Sequence, residues 1–156
     1  MTVIVAARGV GMACDSASSN GDLVTAIRTP KVWRHVDGGL VGSCGSWAVI
    51  TALSALSVGA CDPRVIARTL AALPYKLKGV EVLIDIPGSP LILMDDQGAI
   101  LELQSPFFSV GSGANYAIGY LEACDGISLF ELRGAIACAA KYSPSVTPPT
   151  KVFPEL

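Results

Sequence analysis

The 156-residue sequence has few charged residues and one histidine, and both shortages exclude classes of function. Charged residues make up 15% of the chain, the formal net charge is -2, and Lys and Arg do not cluster. Nucleic-acid-binding proteins usually carry a basic patch, so a nucleic-acid partner is not expected. With His35 alone, a multi-histidine zinc site is not available, and no G-x-S-x-G sequence supports a serine-hydrolase triad. We expect no metal and no other cofactor.

Long apolar runs are also missing, although 51% of the residues are hydrophobic and the mean hydropathy is +0.54. The longest apolar stretch, Trp47 to Cys61, is interrupted by small polar residues and falls short of the roughly 18 residues typical of a membrane span. The N-terminus lacks the basic-then-apolar order of a secretory signal. The number of cysteines, five, is odd, and no C-x-x-C pair occurs, which favours reduced thiols. We therefore expect a cytoplasmic protein without a membrane partner.

The length fits one domain over residues 1–156, and the apolar excess favours a core covered on both faces or a subunit that hides surface against partners. Hydrophobic patterning predicts strands, two helices, strands and two helices. Strands are predicted at 2–7, 12–15, 23–27, 31–36, 39–43, 80–86, 91–95, 99–103 and 107–110, and helices at 47–58, 62–73, 114–123 and 128–140. Residues 142–156, which hold four prolines, are predicted to be irregular. This order predicts an α+β fold in which two sheets pack together with a helix pair on each outer face.

Local signals mark several element ends. Asp62-Pro63 combines an N-cap aspartate with proline at the first helical position. Ser128 and Glu131 have the spacing of a capping box at the start of the last helix. Asp37-Gly38 predicts a hairpin turn between two strands.

Five short motifs stand out in order along the chain: Thr2-Val3-Ile4-Val5-Ala6, Cys14-Asp15, Pro30-Lys31-Val32, Gly42-Ser43-Cys44-Gly45-Ser46, and Val110-Gly111-Ser112-Gly113-Ala114-Asn115-Tyr116-Ala117. In type, order and approximate spacing they resemble the N-terminal nucleophile hydrolases of the proteasome type, including the bacterial HslV peptidase subunit and phage-type proteasome-like proteins. The resemblance covers about residues 2–141. It implies a four-layer αββα sandwich and, by analogy, a threonine-type peptidase.

In that family the first residue of the mature chain is the nucleophile, and the resemblance assigns this role to Thr2. A threonine hydroxyl attacks a carbonyl poorly unless a base takes its proton. An α-amino group has a pKa of about 7.7–8.0, so the amine of Thr2 would be a base poised near neutral pH on the same residue. Removal of Met1 would free that amine. The alternative is an ordinary threonine at the start of a strand.

The resemblance assigns supporting roles to four further residues. Lys31 would lie beside Thr2 and lower the pKa of its hydroxyl and amine, and Asp15 would pair with Lys31. Gly45 would present a backbone N–H to the developing oxyanion. Ser112 would bond the Thr2 amine and help move its proton, or instead would cap the helix that starts at Ala114.

One position departs from the family pattern. Beyond the last helix the family usually has an aspartate, found as Asp-Pro in phage-type members, whereas this chain reads Lys141-Tyr142-Ser143-Pro144. Ser143 is therefore the sixth candidate site residue. The exchange leaves open a second hypothesis, a catalytically silent structural or regulatory subunit.

The resemblance also implies partners. Family members form closed rings, so we expect a homo-oligomer whose substrate is a peptide or an unfolded protein, and an ATP-dependent unfoldase is compatible with this arrangement. A third hypothesis is a small-molecule amidohydrolase on the same fold. A fourth is a cysteine hydrolase built on Cys44 and His35.

Overall fold

The computed structural model describes residues 2–20, 23–74 and 78–156. In this part of the chain the strands are β1 (Ile4–Ala7), β2 (Gly11–Cys14), β3 (Ala17–Asn20), β4 (Leu23–Ala26), β5 (Val32–Arg34), β6 (Leu40–Cys44), β7 (Glu81–Asp85), β8 (Ile92–Met94), β9 (Ile100–Glu102), β10 (Phe107–Val110) and β11 (Lys151–Pro154). The α-helices are α1 (Trp47–Ser54), α2 (Pro63–Ala72), α3 (Ala114–Glu122) and α4 (Leu129–Tyr142).

The strands form two large antiparallel sheets and one hairpin. The first sheet has the order β10-β1-β2-β11 and the second has the order β5-β6-β7-β8-β9. Strands β3 and β4 pair only with each other among the described residues. Strand β1 lies between β10 and β2 in the first sheet, so the chain enters β1 between two neighbouring strands.

Alternating side chains of each sheet pack in opposite directions, which builds three apolar layers. Val5 of β1 and Val3 just before it pack against α3 and α4, whereas Ile4 and Ala6 pack against the second sheet. The outer side of the second sheet is covered by α1 and α2 through residues such as Val49 and Ile66. The predicted α+β four-layer αββα sandwich is confirmed. Both faces of each large sheet are covered, which explains the apolar composition.

The two sheets approach closely at Gly42 in β6. A Cβ atom at this position would lie 2.8 Å from a methyl carbon of Ile4 and 3.0 Å from the sulfur of Met12. Any larger side chain would push the sheets apart, so glycine sets their spacing here. None of the described helices combines the length and apolar character that crossing a membrane requires.

The local end signals are confirmed. The Asp62 side chain accepts a hydrogen bond from the Arg64 N–H, and both bonds of the Ser128–Glu131 capping box are present. The predicted helix 47–58 is α-helical only to Ser54. Its last turn, Ala55–Val58, is a 3₁₀-helix, and the N–H of Gly59 closes onto the carbonyl of Leu56.

Two parts of the prediction were wrong in detail. The 142–156 tail is not irregular throughout, because α4 includes Tyr142 and Lys151–Pro154 forms β11 along the outer edge of β2. Proline fits there because an edge strand leaves one side of its backbone without a ladder partner. Ala17–Asn20, interpreted only as small and polar, forms the strand β3.

Candidate active site

The site lies where β1 begins, at the edge of the contact between the two sheets. Thr2 lies two residues before β1 and is 3% exposed. Asp15 follows β2, and its backbone N–H bonds the carbonyl of Val3 at 3.2 Å. Lys31 directly precedes β5 of the second sheet and is 2% exposed. Each of the three residues therefore sits at a strand end, where its side chain is held by regular backbone on one side.

These three side chains meet in one hydrogen-bonded cluster. The hydroxyl of Thr2 donates to Oδ1 of Asp15 at 2.6 Å. The ammonium nitrogen of Lys31 lies 2.8 Å from the same Oδ1 and also donates to Oγ1 of Thr2. Oγ1 of Thr2 thus contacts the carboxylate of Asp15 and the ammonium of Lys31, which come from different parts of the chain.

Asp15 is held by a dense set of donors. Besides Thr2 and Lys31, the backbone N–H groups of Val3 and Ala17 donate to its carboxylate at 3.0 and 2.9 Å, and that of Thr147 lies at 3.4 Å. A carboxylate bonded in this way is held in one position, although it is only 1% exposed.

Burial lowers the pKa of Lys31 from its ordinary value, and the charge of Asp15 opposes this effect. Lowering the pKa moves the amine toward the range in which lysine exchanges protons at moderate pH. The ammonium of Lys31 is paired with the carboxylate of Asp15 and also donates to Oγ1 of Thr2. A positive charge at this position stabilises negative charge on Oγ1.

Gly45 adopts a positive φ of +102°, and a Cβ there would lie 2.9 Å from a methyl carbon of Val80. Glycine is required at this turn for both reasons. Thr2 and Gly45 line two neighbouring cavities. The smaller, of about 60 Å³, is completed by side chains that include Lys31, Trp47 and Ile50. The larger has about 280 Å³ and reaches Gly111 and Ser112. Thr2 is therefore buried but open to space on two sides.

The hydroxyl groups of three serines form a chain that ends at Thr2. The Oγ of Ser112 donates to the carbonyl oxygen of Thr2 at 3.3 Å and lies 3.0 Å from the Oγ of Ser145. The Oγ of Ser145 is in turn 2.9 Å from that of Ser143. Ser143 thus reaches Thr2 only through two other hydroxyls, and the chain carries no charge where the family has an aspartate.

The structure differs from the sequence prediction at two serines. Ser112 does not cap α3, because the N-cap is Gly113 and no side chain bonds the first turn. Sequence reasoning missed Ser145, which is 3% exposed and joins the other two serines. No motif marks Ser145, because it meets the other serines through a turn at Pro144 and Ser145, which the bond from the N–H of Val146 to the carbonyl of Ser143 closes.

Cys44 and His35 do not form a catalytic pair. His35 follows β5 beside Gly39, and Cys44 lies at the opposite end of β6, roughly 16 Å away at about 3.3 Å per strand residue. Burial, followed by the nearby charge of Glu81, raises the pKa of Cys44 to about 12. Such a thiol is a poor nucleophile. All five cysteines are free, as expected from the sequence.

Glu81, at the start of β7, is a second residue that sequence reasoning missed. It lines the larger cavity and accepts hydrogen bonds from the N–H of Gly111 at 3.1 Å and from the thiol of Cys44 at 3.6 Å. No motif marks it, because its position depends on the pairing of β7 with β6.

Two antiparallel sheets between two helix pairs form the fold of the proteasome-type N-terminal nucleophile hydrolases. Neither a protein-family model nor a curated protein sequence matches the chain. Solved structures do. BPH from Thiobacillus denitrificans, also solved in complex with epoxomicin, has a TM-score of 0.77 and 18% identity over 98% of this chain and 96% of that one.

Two further similar structures have comparable coverage. HslV from Trypanosoma brucei has a TM-score of 0.72 and 15% identity over 97% of both chains. Anbu from Yersinia bercovieri has a TM-score of 0.72 and 17% identity over 98% of this chain and 82% of that one. The likeness to the three structures extends over nearly the whole chain, and at these identities it shows the fold.

Proposed function

We propose that the protein is a threonine-type peptidase whose nucleophile is Thr2. The observation that carries the proposal is the placement of Oγ1 of Thr2 between the ammonium of Lys31 and the carboxylate of Asp15, in a buried site with open space on two sides. Met1, whose loss the sequence predicts, lies outside the described residues. The proposal requires that whatever precedes Thr2 be removed, since an amide nitrogen cannot serve as a base.

The reaction follows from these groups. The freed α-amine takes the proton of the Thr2 hydroxyl, and Oγ1 attacks the substrate carbonyl carbon while Lys31 stabilises the negative charge. The tetrahedral oxyanion is stabilised by the N–H of Gly45. The C–N bond then breaks, the leaving amine takes the proton from the α-ammonium, and an ester on Thr2 remains. Water, deprotonated by the same amine, hydrolyses the ester and the proton returns to Oγ1.

In this scheme the serine chain holds the backbone of Thr2 through its carbonyl oxygen. Ser112 lies against the backbone of Thr2, and Ser145 and Ser143 hold Ser112 in place. A hydroxyl can donate and accept at once, so a neutral chain can hold the proton-transfer geometry without a buried carboxylate.

The same neutral chain supports the second candidate, a catalytically silent ring subunit. Without a charge at position 143, the Thr2 amine loses the electrostatic support that the family aspartate provides. A subunit of this kind would keep the fold and the ring contacts while its Thr2 fails to react. The two candidates therefore differ in the reactivity of Thr2.

The assembly belongs to the proposal as well. We propose a closed homo-oligomeric ring acting on peptides or unfolded protein, in line with the HslV-like fold. Large exposed apolar side chains are consistent with subunit contacts: Phe130 is 74% exposed and Val58 is 84% exposed. An ATP-dependent unfoldase remains a prediction from the resemblance.

The test combines intact mass with labelling of Thr2. We expect a processed chain that begins with Thr2 and gains the mass of one epoxomicin, because an epoxyketone can react with both the hydroxyl and the amine of one N-terminal threonine. Thr2→Ala should prevent labelling and peptide cleavage, whereas Ser18→Ala, beside the small cavity, should still be labelled. An N-terminally blocked or unreactive Thr2 in the assembled protein would favour the silent subunit.

A small-molecule amidohydrolase would share this labelling. Peptides of eight to ten residues and short acyl amides should therefore be compared as substrates of the wild-type protein. We expect cleavage of the peptides. Hydrolysis of the amides alone would replace the proposed peptidase by the amidohydrolase.

A further inference from the structure

Glu81 introduces a negative charge into the larger of the two cavities beside Thr2. That cavity is lined by Thr2, Cys44, Gly45, Gly79, Glu81, Gly111 and Ser112. Three of these residues are glycines, so much of the wall is backbone, and Glu81 is the one formally charged side chain among them. The cavity volume of about 280 Å³ leaves room for a substrate side chain.

The charge of Glu81 has no protein counter-ion among the described residues, because the one ion pair found there joins Lys31 to Asp15. Lys31 borders the smaller cavity, where Asp15 already offsets its charge. The two spaces beside Thr2 therefore differ electrostatically. The smaller is bordered by the cation of the Lys31–Asp15 pair, and the larger by a carboxylate that has no ion-pair partner among residues 2–20, 23–74 and 78–156.

The carboxylate is also held in place. The N–H of Gly111 and the thiol of Cys44 both donate to its Oε2. These two donors come from different elements, because Gly111 follows β10 and Cys44 is the last residue of β6. With Oε2 so engaged within the described residues, Oε1 is the oxygen that a ligand would use. A preorganised carboxylate binds a cation with little loss of side-chain entropy.

We infer that the larger cavity accepts a positively charged side chain, lysine or arginine, of a substrate residue adjacent to the scissile bond, with Glu81 as its counter-ion. Rejection of neutral residues follows from the same geometry, because a neutral side chain would bury the carboxylate without a partner. This inference rests on the proposed function. It adds a specificity-determining residue to the proposed peptidase site.

The experiment uses matched peptides in which one residue, at each of the two positions on either side of the scissile bond in turn, is lysine or its uncharged counterpart norleucine. We expect kcat/KM to be roughly tenfold or more higher for lysine at one position, since one charge-assisted hydrogen bond has about this effect. In Glu81→Gln, which keeps an oxygen acceptor of the same size, the lysine-to-norleucine ratio should fall to about one. Glu81→Lys should invert the preference.

Glu102→Gln is the matched control, because Glu102 is exposed on β9 and does not line the cavity. Its ratio should equal that of the wild type. A ratio near one at every position in the wild-type protein would overturn the inference. So would a Glu81→Gln protein that loses activity equally on both peptides, because that pattern indicates a loop-holding role only.

Epoxomicin labelling of Thr2 separates this failure from failure of the proposed function. If Thr2 is labelled but the protein shows no preference for lysine, the proposed peptidase stands and the role of Glu81 is rejected. Unlabelled Thr2 with no cleavage rejects the proposed peptidase, and the specificity inference falls with it.

Discussion

The ammonium nitrogen of Lys31 lies 2.8 Å from Oδ1 of Asp15, and this is the one ion pair among the residues that the structure describes. The two residues are 2% and 1% exposed and come from different sheets. The pair therefore links the sheets at the point where Thr2 is held. The two charges depend on each other, because burial leaves both side chains almost inaccessible to solvent.

Asp15→Asn should destabilise the protein by about 3–5 kcal/mol, because the Lys31 charge then stays buried without its partner. The pKa of Lys31, already lowered by burial, should fall further without the opposing carboxylate. Urea denaturation measures the stability change, and epoxomicin labelling should be lost. The control is Asp125→Asn, in an exposed loop. A stability change equal to that of the control would contradict the central role of the pair.

Ser145→Ala tests the hydroxyl chain. It removes the side-chain partner that joins Ser112 to Ser143 and should cost about 1–3 kcal/mol, because the buried hydroxyl of Ser143 loses its side-chain hydrogen bond. Labelling of Thr2 should slow by roughly tenfold or more if the chain assists proton transfer. The rate should be followed from pH 6 to 9 beside Ser89→Ala, which lies in the turn after β7. Equal labelling rates in both variants would limit the chain to a structural role.

The buried carboxyl group of Asp85 should make the free energy of unfolding depend on pH. Its carboxylate is 1% exposed, and neither oxygen has a hydrogen-bond partner among the described residues. Burial, with a smaller contribution from Glu155, raises the pKa of Asp85 from 3.8 to about 7. Between these values the unfolded chain loses the proton while the folded chain keeps it. The free energy of unfolding should therefore fall as pH rises from 4 to 7, by about 4 kcal/mol at most.

Asp85→Asn should remove this slope. The variant should match the wild type near pH 4 and exceed its free energy of unfolding above pH 7. Denaturation at several pH values, with Asp125→Asn as control, measures the difference. A wild-type slope that persists in Asp85→Asn would assign the effect to another group.

Gly11→Ala tests the β11 edge strand. Gly11 has a φ of +134°, and a Cβ there would lie 2.2 Å from the carbonyl oxygen of Phe153. Backbone strain and the clash should together destabilise the protein by about 2–4 kcal/mol. Gly119→Ala, on the exposed side of α3 with no atom near its Cβ position, should instead stabilise by about 0.5–1 kcal/mol. If Gly11→Ala were as stable as the wild type, the pairing of β11 with β2 would be in doubt.

The local parts of the fold could be predicted from the sequence. Asp62-Pro63 and the Ser128–Glu131 capping box place two helix starts correctly, because each signal acts within one helical turn. Strand β10 was predicted with its observed bounds. Strand β11 could not be predicted, since Lys151–Pro154 becomes a strand only by pairing with β2, more than 130 residues earlier in the chain.

The candidate site also contains residues that could be predicted from the sequence and residues that could not. Thr2, Asp15 and Lys31 could be selected from their motifs, and the structure brings their side chains together. Ser145 and Glu81 carry no motif. The role of Ser145 depends on the two serines that it joins, and that of Glu81 on Gly111 and Cys44, which donate to its carboxylate.

The sequence by itself determined the types of group in the site and their order, because strand ends, turns and helix caps are encoded by neighbouring residues. Only the tertiary structure decided which groups touch. The packing of two sheets places Lys31 against Thr2 and sets a carboxylate at the edge of one cavity. The physical reason is that hydrophobic burial fixes the distance between sheets, and no local preference specifies contacts across that distance.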